Sequence, residues 1–376
     1  MTSASSSRPE ILTPRARALL PVFLVLLVGM AVYQLWYTLP GRVQLSGRTM
    51  GTTWSVVLSG EGRTRSDLVR ARDTIHERLA SVDGLMSTWD PESEISRFNR
   101  HATRDPFPLS SQTLEVLRLA REVSDRTGGA FDVTVAPLVA AWGFGAHARV
   151  PGAEPDPAEL AELRSRVGYR RLTLDLPPGT ASKDDPDVLC DLSAIAKGFA
   201  VDEVARALEG QGWSDYLVEV GGELRAGGER PGGGPWNVAI ERPDDQSVGT
   251  IRGVVQLSGR AMATSGDYRN FYEVGGQRRS HIVDPRTGRP VTHRLASVSV
   301  VHLDAVRADA WATALAVLGP DEGLALAEAQ GLAAYFLVRP ASRAGSERLL
   351  ARATSTFPAL LERGPAREVG SEASAN

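Results

Sequence analysis

Asp309 and Thr313 stand four residues apart in the run ADAWATA, a spacing that sets both on one face of a helix. A carboxylate, a hydroxyl and a nearby carbonyl are hard oxygen donors. Together they suit Mg²⁺, with water and phosphate oxygens completing the shell. The same spacing also fits an N-cap Asp followed by an exposed Thr. The run SHIVDPRTGRP brings His281, whose imidazole titrates near neutrality and suits a general base. Asp284 follows closely enough to be its partner or to form the Asp-Pro turn, and the run also reads as a plain decorated hairpin. The stretch DLSAIAKGFAVD reads as a strand end running into a helix. Ser193 can cap a helix that starts near Ala194, and a helix N-terminus with Lys197 one turn in attracts an anion. Lys there opposes the helix dipole, and Gly198 costs about 1 kcal/mol against Ala. Two readings follow: an anionic ligand that comes close at Gly198, or a snorkelling lysine beside a glycine at a helix crossing. TGGAFDVTVAP and the WGFG after it, with STW and ISRFN earlier, set aromatic rings beside glycines and polar groups, where a flat ring can stack.

These residues need elements to hold them. MGTTWSVVLSG (50–60) is rich in Thr, Val and Trp and predicts a strand. Apolar spacing predicts helices over 66–85 and 110–124, and another in ELAELRSRVG. YRRLTLDL, YLVEVGGELRAGG, WNVAIERP, GTIRGVVQLSGRAMATSG, LASVSVVHLDAV and AAYFLVRP predict strands. RADAWATALAVLG and GLALAEAQG predict late helices, and the helix that starts in DLSAIAKGFAVD reaches about Leu208. Strands and helices mix without a βαβ rhythm. That pattern predicts an α+β class, with mixed or antiparallel sheets flanked by helices. No GxGxxG opens a helix after a strand and no GxxxxGK[ST] occurs, so a dinucleotide would not be held in Rossmann fashion.

The 376 residues carry a formal net charge of −3, which argues against a generally basic nucleic-acid binder. Cys190 is the only cysteine, so neither an intrachain disulfide nor a Cys-based zinc site can form, and core packing is its simplest role. Residues 18–39 contain no charged side chain, and about 20 apolar residues suffice to span a bilayer. Arg8, Arg15 and Arg17 precede the run, and Tyr33, Trp36 and Tyr37 close it. The expectation is a single-pass anchor in the cytoplasmic membrane, N-terminus inside and the bulk outside. A cleaved signal peptide is the rival. The expected division is a cytoplasmic tail (1–17), the anchor (18–39), one globular domain (40–362) and a small, polar disordered tail (363–376).

MGTTW, STWDPESEISRFN, TGGAFDVTVAPLVAAWGFG, DLSAIAKGFAVD, LVEVGGELRAGG, ATSGDYRNFYE, SHIVDPRTGRPV and ADAWATALAVLG occur in this order over about residues 46–340. In that order they resemble the ApbE-like FAD:protein FMN transferases. The resemblance implies an enzyme that splits the FAD pyrophosphate, joins FMN by a phosphoester to a Thr or Ser of an extracytoplasmic protein and releases AMP. It implies FAD contacts at Met50, Trp89, Ala130, Phe131, Asp132, Asp191, Lys197 and Ile282. It implies Mg²⁺ ligands at the Ala194 carbonyl, Asp309 and Thr313, and a base at His281. Acceptors in the family are membrane-bound electron-transfer subunits, which places catalysis on the periplasmic side. The lipid-anchoring Cys common in the family is absent, and the expected helix takes its place. An FAD pyrophosphatase, with water as acceptor, and a flavin-binding module without catalysis are the alternatives.

Overall fold

The structure is a computed structural model that describes residues 14–37, 39–146, 148–149, 154–177, 179–243, 251–267, 271–274, 277–340 and 349–359. The tail expected at 363–376 and the first residues of the expected cytoplasmic segment lie outside these.

Eight strands form one antiparallel sheet whose spatial order follows chain order. They are Arg42–Thr49, Thr52–Ser59, Tyr216–Val220, Glu223–Gly227, Arg260–Gly266, Leu295–His302, Ala333–Val338 and Leu350–Ala353. The α+β expectation holds, and the main sheet is antiparallel throughout. The first of these strands was not foreseen: its side chains alternate between exposed and half-buried, and it carries only weak apolar patterning.

The helices are α1 (Pro14–Tyr37), α2 (Arg65–Met86), α3 (Glu94–Arg100), α4 (Ser111–Arg126), α5 (Ala136–Ala141), α6 (Pro157–Ser165), α7 (Ala196–Gly210) and α8 (Ala305–Ala329). A Thr64–Asp67 capping box starts α2, and the Ser110 hydroxyl accepts from Thr113 N at the start of α4. The helices α2 to α7, with a small three-stranded sheet, fill the excursion between the second and third strands. The two expected late helices join as α8, which breaks at Gly319 (φ 79°) before Pro320. The His293 ring fills the space where a Cβ at Gly319 would sit.

Strand alternation sets the layers. Trp54, Val56, Leu58, Val218, Ala261, Val298 and Phe336 face the helices and join the main core. Val57, Leu224, Met262, Val301 and Leu337 face the other way, against a hairpin of Trp236–Glu241 and Ile251–Leu257. The run GTIRGVVQLSGRAMATSG therefore supplies two strands to two different sheets, turning at Ser258-Gly259. Cys190 is fully buried in the main core, as expected.

Side chains of α1 are described over residues 19–30, and Leu19, Phe23, Leu24 and Val25 there are more than half exposed. Among the described residues no helix is long and apolar enough to cross a membrane. The anchor expected at 18–39 lies partly outside them.

Candidate active site

Two tight turns at one end of the sheet form the floor of a cleft. Met50-Gly51 joins the first two strands and Gly221-Gly222 joins the next pair. All four residues have positive φ, as two-residue hairpin loops require. Met50 (φ 48°) is the only described non-glycine residue in that region, a conformation that costs about 1 kcal/mol or more and often marks a functional site. Gly51, Thr52, Gly221 and Gly222 line the cleft, whereas Met50 packs half-buried against the core beside it.

The DLSAIAKGFAVD stretch differs from its predicted form. Ser193 is exposed and caps nothing; Asp191 Oδ1 accepts its N–H at 2.9 Å, and α7 starts two residues after Ala194. An Asx turn at Asp191 competes with helix formation and delays the start. Gly198 sits at a helix crossing. A Cβ built there would lie 2.3 Å from the Ala305 carbonyl oxygen and 2.8 Å from Asp309 Cβ. What approaches Gly198 is thus the backbone of α8, while Lys197 beside it lines the cleft. The helix-crossing reading therefore holds for Gly198.

Asp309 is in the second turn of α8 and 2% exposed, so it is not an N-cap. Its Oδ2 accepts from Gly198 N at 2.9 Å, and its Oδ1 lies 3.9 Å from Lys197 Nζ. Lys197 Nζ meets Glu223 Oε2 at 2.5 Å. Burial pushes both carboxyls above the usual range, and the Lys197 charge opposes this for both. Thr313 lies one turn on, its hydroxyl 3.2 Å from Ser265 Oγ, and Asp309, Thr313 and Val317 form one stripe into the cleft. Ala194 lines the same wall. A carboxylate, a hydroxyl and a main-chain carbonyl are the oxygen donors Mg²⁺ prefers, so the donor set fits that ion. Among the described residues no three His, Cys, Asp or Glu side chains gather as a metal cluster, so Zn²⁺-type ligation has no basis there.

The opposite wall comes from the glycine-rich loop. Ala130, Phe131 and Asp132 all line the cleft. Asp132 accepts from Thr134 N, Thr134 Oγ1 and Tyr169 N at 2.8, 2.6 and 2.7 Å. Its carboxylate therefore shapes the loop, although burial still pushes its pKa up. Asp191 N donates to Val133 O at 2.7 Å, tying this loop to the start of DLSAIAKGFAVD. Trp89 is 73% exposed and lines the rim, where a flat ring can stack.

His281 and Ile282 also line the cleft, and the His281 ring meets Phe144 edge-on at 6.2 Å. Phe144 stacks on Tyr272 at 5.2 Å, and Tyr272 Oη donates to Trp142 O at 3.0 Å. Asp284 is not part of this arrangement. It does not line the cleft, and its carboxylate accepts from Arg286 N at 2.9 Å and from the Arg286 guanidinium at 3.0 Å. Its sequence position next to the Asp-Pro turn serves that turn and not the imidazole.

Sequence reasoning missed Glu223. An acid placed directly after a Gly-Gly turn, at the start of a short strand buried on both faces, is the signal that could have found it. Lysine usage is a second signal: of 42 Lys and Arg residues only Lys183 and Lys197 are lysine. Both serve where a compact ammonium fits, Lys183 by donating to the Asn99 and Pro186 carbonyls.

The cleft measures about 1240 Å³, beyond the ~300–1,000 Å³ that suits an ordinary small ligand and sufficient for a dinucleotide. The ApbE family model matches residues 50–336. The FAD:protein FMN transferase of Vibrio cholerae serotype O1 is 43% identical over 300 residues, 79% of this chain and 88% of that protein. That of Klebsiella pneumoniae strain 342 is 40% identical over 297 residues, 78% and 84% of the two chains. The solved flavin transferase ApbE from Vibrio cholerae superposes with a TM-score of 0.76 at 41% identity, covering 84% of this chain and 98% of that one. The apo flavinyl transferase ApbE of Pseudomonas stutzeri gives 0.74 at 35% identity, covering 86% and 96%.

Proposed function

We propose, from the premise that this chain belongs to the ApbE family and is an FAD:protein FMN transferase, that the α7–α8 wall works on the FAD pyrophosphate with Mg²⁺ and that the acceptor is an extracytoplasmic protein. The observation that carries this is the convergence of Lys197, Glu223, Asp309, Thr313 and His281 on one dinucleotide-sized cleft.

Mg²⁺ bound by Asp309, Thr313 and the Ala194 carbonyl would supply neutralisation of phosphate charge, which phosphoryl transfer needs more than covalent help. Lys197 adds a positive charge on the same wall. Trp89, Phe131 and Ile282, with Asp132 and Asp191, bind and orient the FAD. The hydroxyl oxygen of an acceptor Thr or Ser attacks the FMN-side phosphorus. A phosphoester bond forms there, the bond from that phosphorus to the bridging oxygen breaks, and AMP leaves with that oxygen. His281 takes the hydroxyl proton on a ring nitrogen.

The membrane location is part of the same proposal. The uncharged run 18–39, with arginines before it and aromatic residues at its end, supports a single-pass anchor with the catalytic domain on the periplasmic side. Removing residues 1–39 should release an active enzyme from the membrane fraction. Retention of the shortened chain in that fraction counts against the anchor. For the metal, Asp309→Ala and EDTA should each abolish FAD turnover. Full activity of Asp309→Ala with EDTA present refutes the metal assignment.

A further inference from the structure

We propose that Asp202 is a positioning residue for this reaction: from α7 it caps the first turn of α8 and so fixes where Asp309 and Thr313 point. The proposal rests on the reading that these two residues hold the cation.

The helix α8 lacks a cap of its own. Asp304 stands at its N-cap position but makes no capping bond, and its carboxylate meets Arg307 Nη1 at 2.6 Å. The free N–H groups of the first turn go to the neighbouring helix. Asp202 Oδ1 accepts from Ala305 N at 3.1 Å, and Oδ2 accepts from Val306 N at 2.9 Å. Arg225 Nη1 donates to Oδ1 at 3.0 Å. Asp202 is 3% exposed, and a carboxylate taken out of water is costly even when its bonds are all made. A local N-cap from the residue at that position, Asp304, would satisfy such an N–H at the helix surface without that cost. The bridge from α7 does what a local cap cannot, because it fixes one helix against another.

The spacing completes the argument. Gly198 and Asp202 lie one turn apart on α7, and Ala305 and Asp309 lie one turn apart on α8. Gly198 N holds Asp309 Oδ2, and Asp202 holds the Ala305 N–H. Two rungs one turn apart prevent α8 from sliding or rotating against α7. The strand Glu223–Gly227 ties both rungs from below. Glu223 and Arg225 project from the same face, one to Lys197 and one to Asp202. The contact at Gly198 sets the distance between the helices, and Asp202 sets the register.

The test uses the full chain and Mn²⁺ alone as probe, following free Mn²⁺ by electron paramagnetic resonance. FAD affinity is read separately in EDTA by flavin fluorescence. Asp202→Asn should weaken Mn²⁺ binding on the order of tenfold or more, the range for groups that orient metal ligands. FAD affinity should stay within about twofold, since Asp202 does not line the cleft. Asp202→Glu keeps the charge, lengthens the bridge by one methylene and should weaken Mn²⁺ in the same way. It decides the matter if Asp202→Asn does not fold. Thr354→Val, which removes two bonds to Ala334 near the far edge of the sheet, is a control for general destabilisation and should leave Mn²⁺ affinity unchanged. Wild-type Mn²⁺ affinity in both Asp202 variants, with Asp309→Ala losing it, overturns the proposal and leaves the metal reading standing. An equal loss in Thr354→Val also overturns it. Wild-type affinity in Asp309→Ala overturns the metal reading and this proposal with it.

Discussion

Gly198→Ala separates the role of the helix crossing from ordinary stability. The new Cβ would lie 2.3 Å from the Ala305 carbonyl oxygen, 2.7 Å from its carbon and 2.8 Å from Asp309 Cβ. All three are backbone or the root of a side chain, so none can swing away. Relief to ordinary contact requires α8 to move by about 1 Å. Overpacking of this kind costs about 1–3 kcal/mol, and the helix preference of Ala over Gly returns up to about 1. The net loss of about 0–3 kcal/mol lowers Tm by only a few degrees in a chain of this length. Catalysis suffers more, because the same 1 Å displaces Asp309, and a misplacement of that size costs on the order of 100-fold in rate. The assay is FMN release or transfer at saturating FAD, with a thermal melt on the same sample. A variant with wild-type rate and a raised Tm refutes the close-packing argument, because Ala would then be simply a better helix former.

Asp284→Ala should keep kcat within about threefold of wild type while losing about 1–2 kcal/mol of stability with the Arg286 pair. A loss of kcat near 100-fold restores a catalytic role to Asp284. Lys197→Met leaves Glu223 and Asp309 buried without their ammonium and should destabilise by about 1–3 kcal/mol, reduced from the full buried-pair value because Lys197 is partly exposed. Thermal melts should show Mg²⁺ raising the Tm of this variant more than that of the wild type, and an equal rise contradicts the assignment of these carboxylates. Burial pushes the Cys190 thiol up to about 12, so it stays protonated at pH 8. It should ignore a disulfide reagent in the native protein and react fully in guanidinium; fast native labelling contradicts its burial.

The helices around the site were legible because apolar spacing carries that signal. Arg65–Met86 and Ser111–Arg126 depart from the expected spans by a residue or two. Asp309 and Thr313 were legible by the same spacing, since a helix fixes which residues share a face. For Asp284 the sequence left a partner of His281 and a turn former both open, because sequence distance says nothing about direction, and its carboxylate turns to Arg286. Glu223 and Asp202 were missed for a related reason. Each earns its place through a partner far along the chain, 223 to 197 and 202 to 305, and no local pattern records such a contact. Gly198 shows the limit most clearly. Its sequence signal said that something comes close, and only the fold says that it is the backbone of α8.

The intact mass of an acceptor protein, taken after incubation with this enzyme, FAD and Mg²⁺, tests the central claim most directly. The account predicts a gain of one FMN on a Thr or Ser, with one AMP released for each, and no gain when His281 or Asp309 is replaced by Ala. An unmodified acceptor beside accumulating FMN and AMP, or beside unchanged FAD, contradicts it.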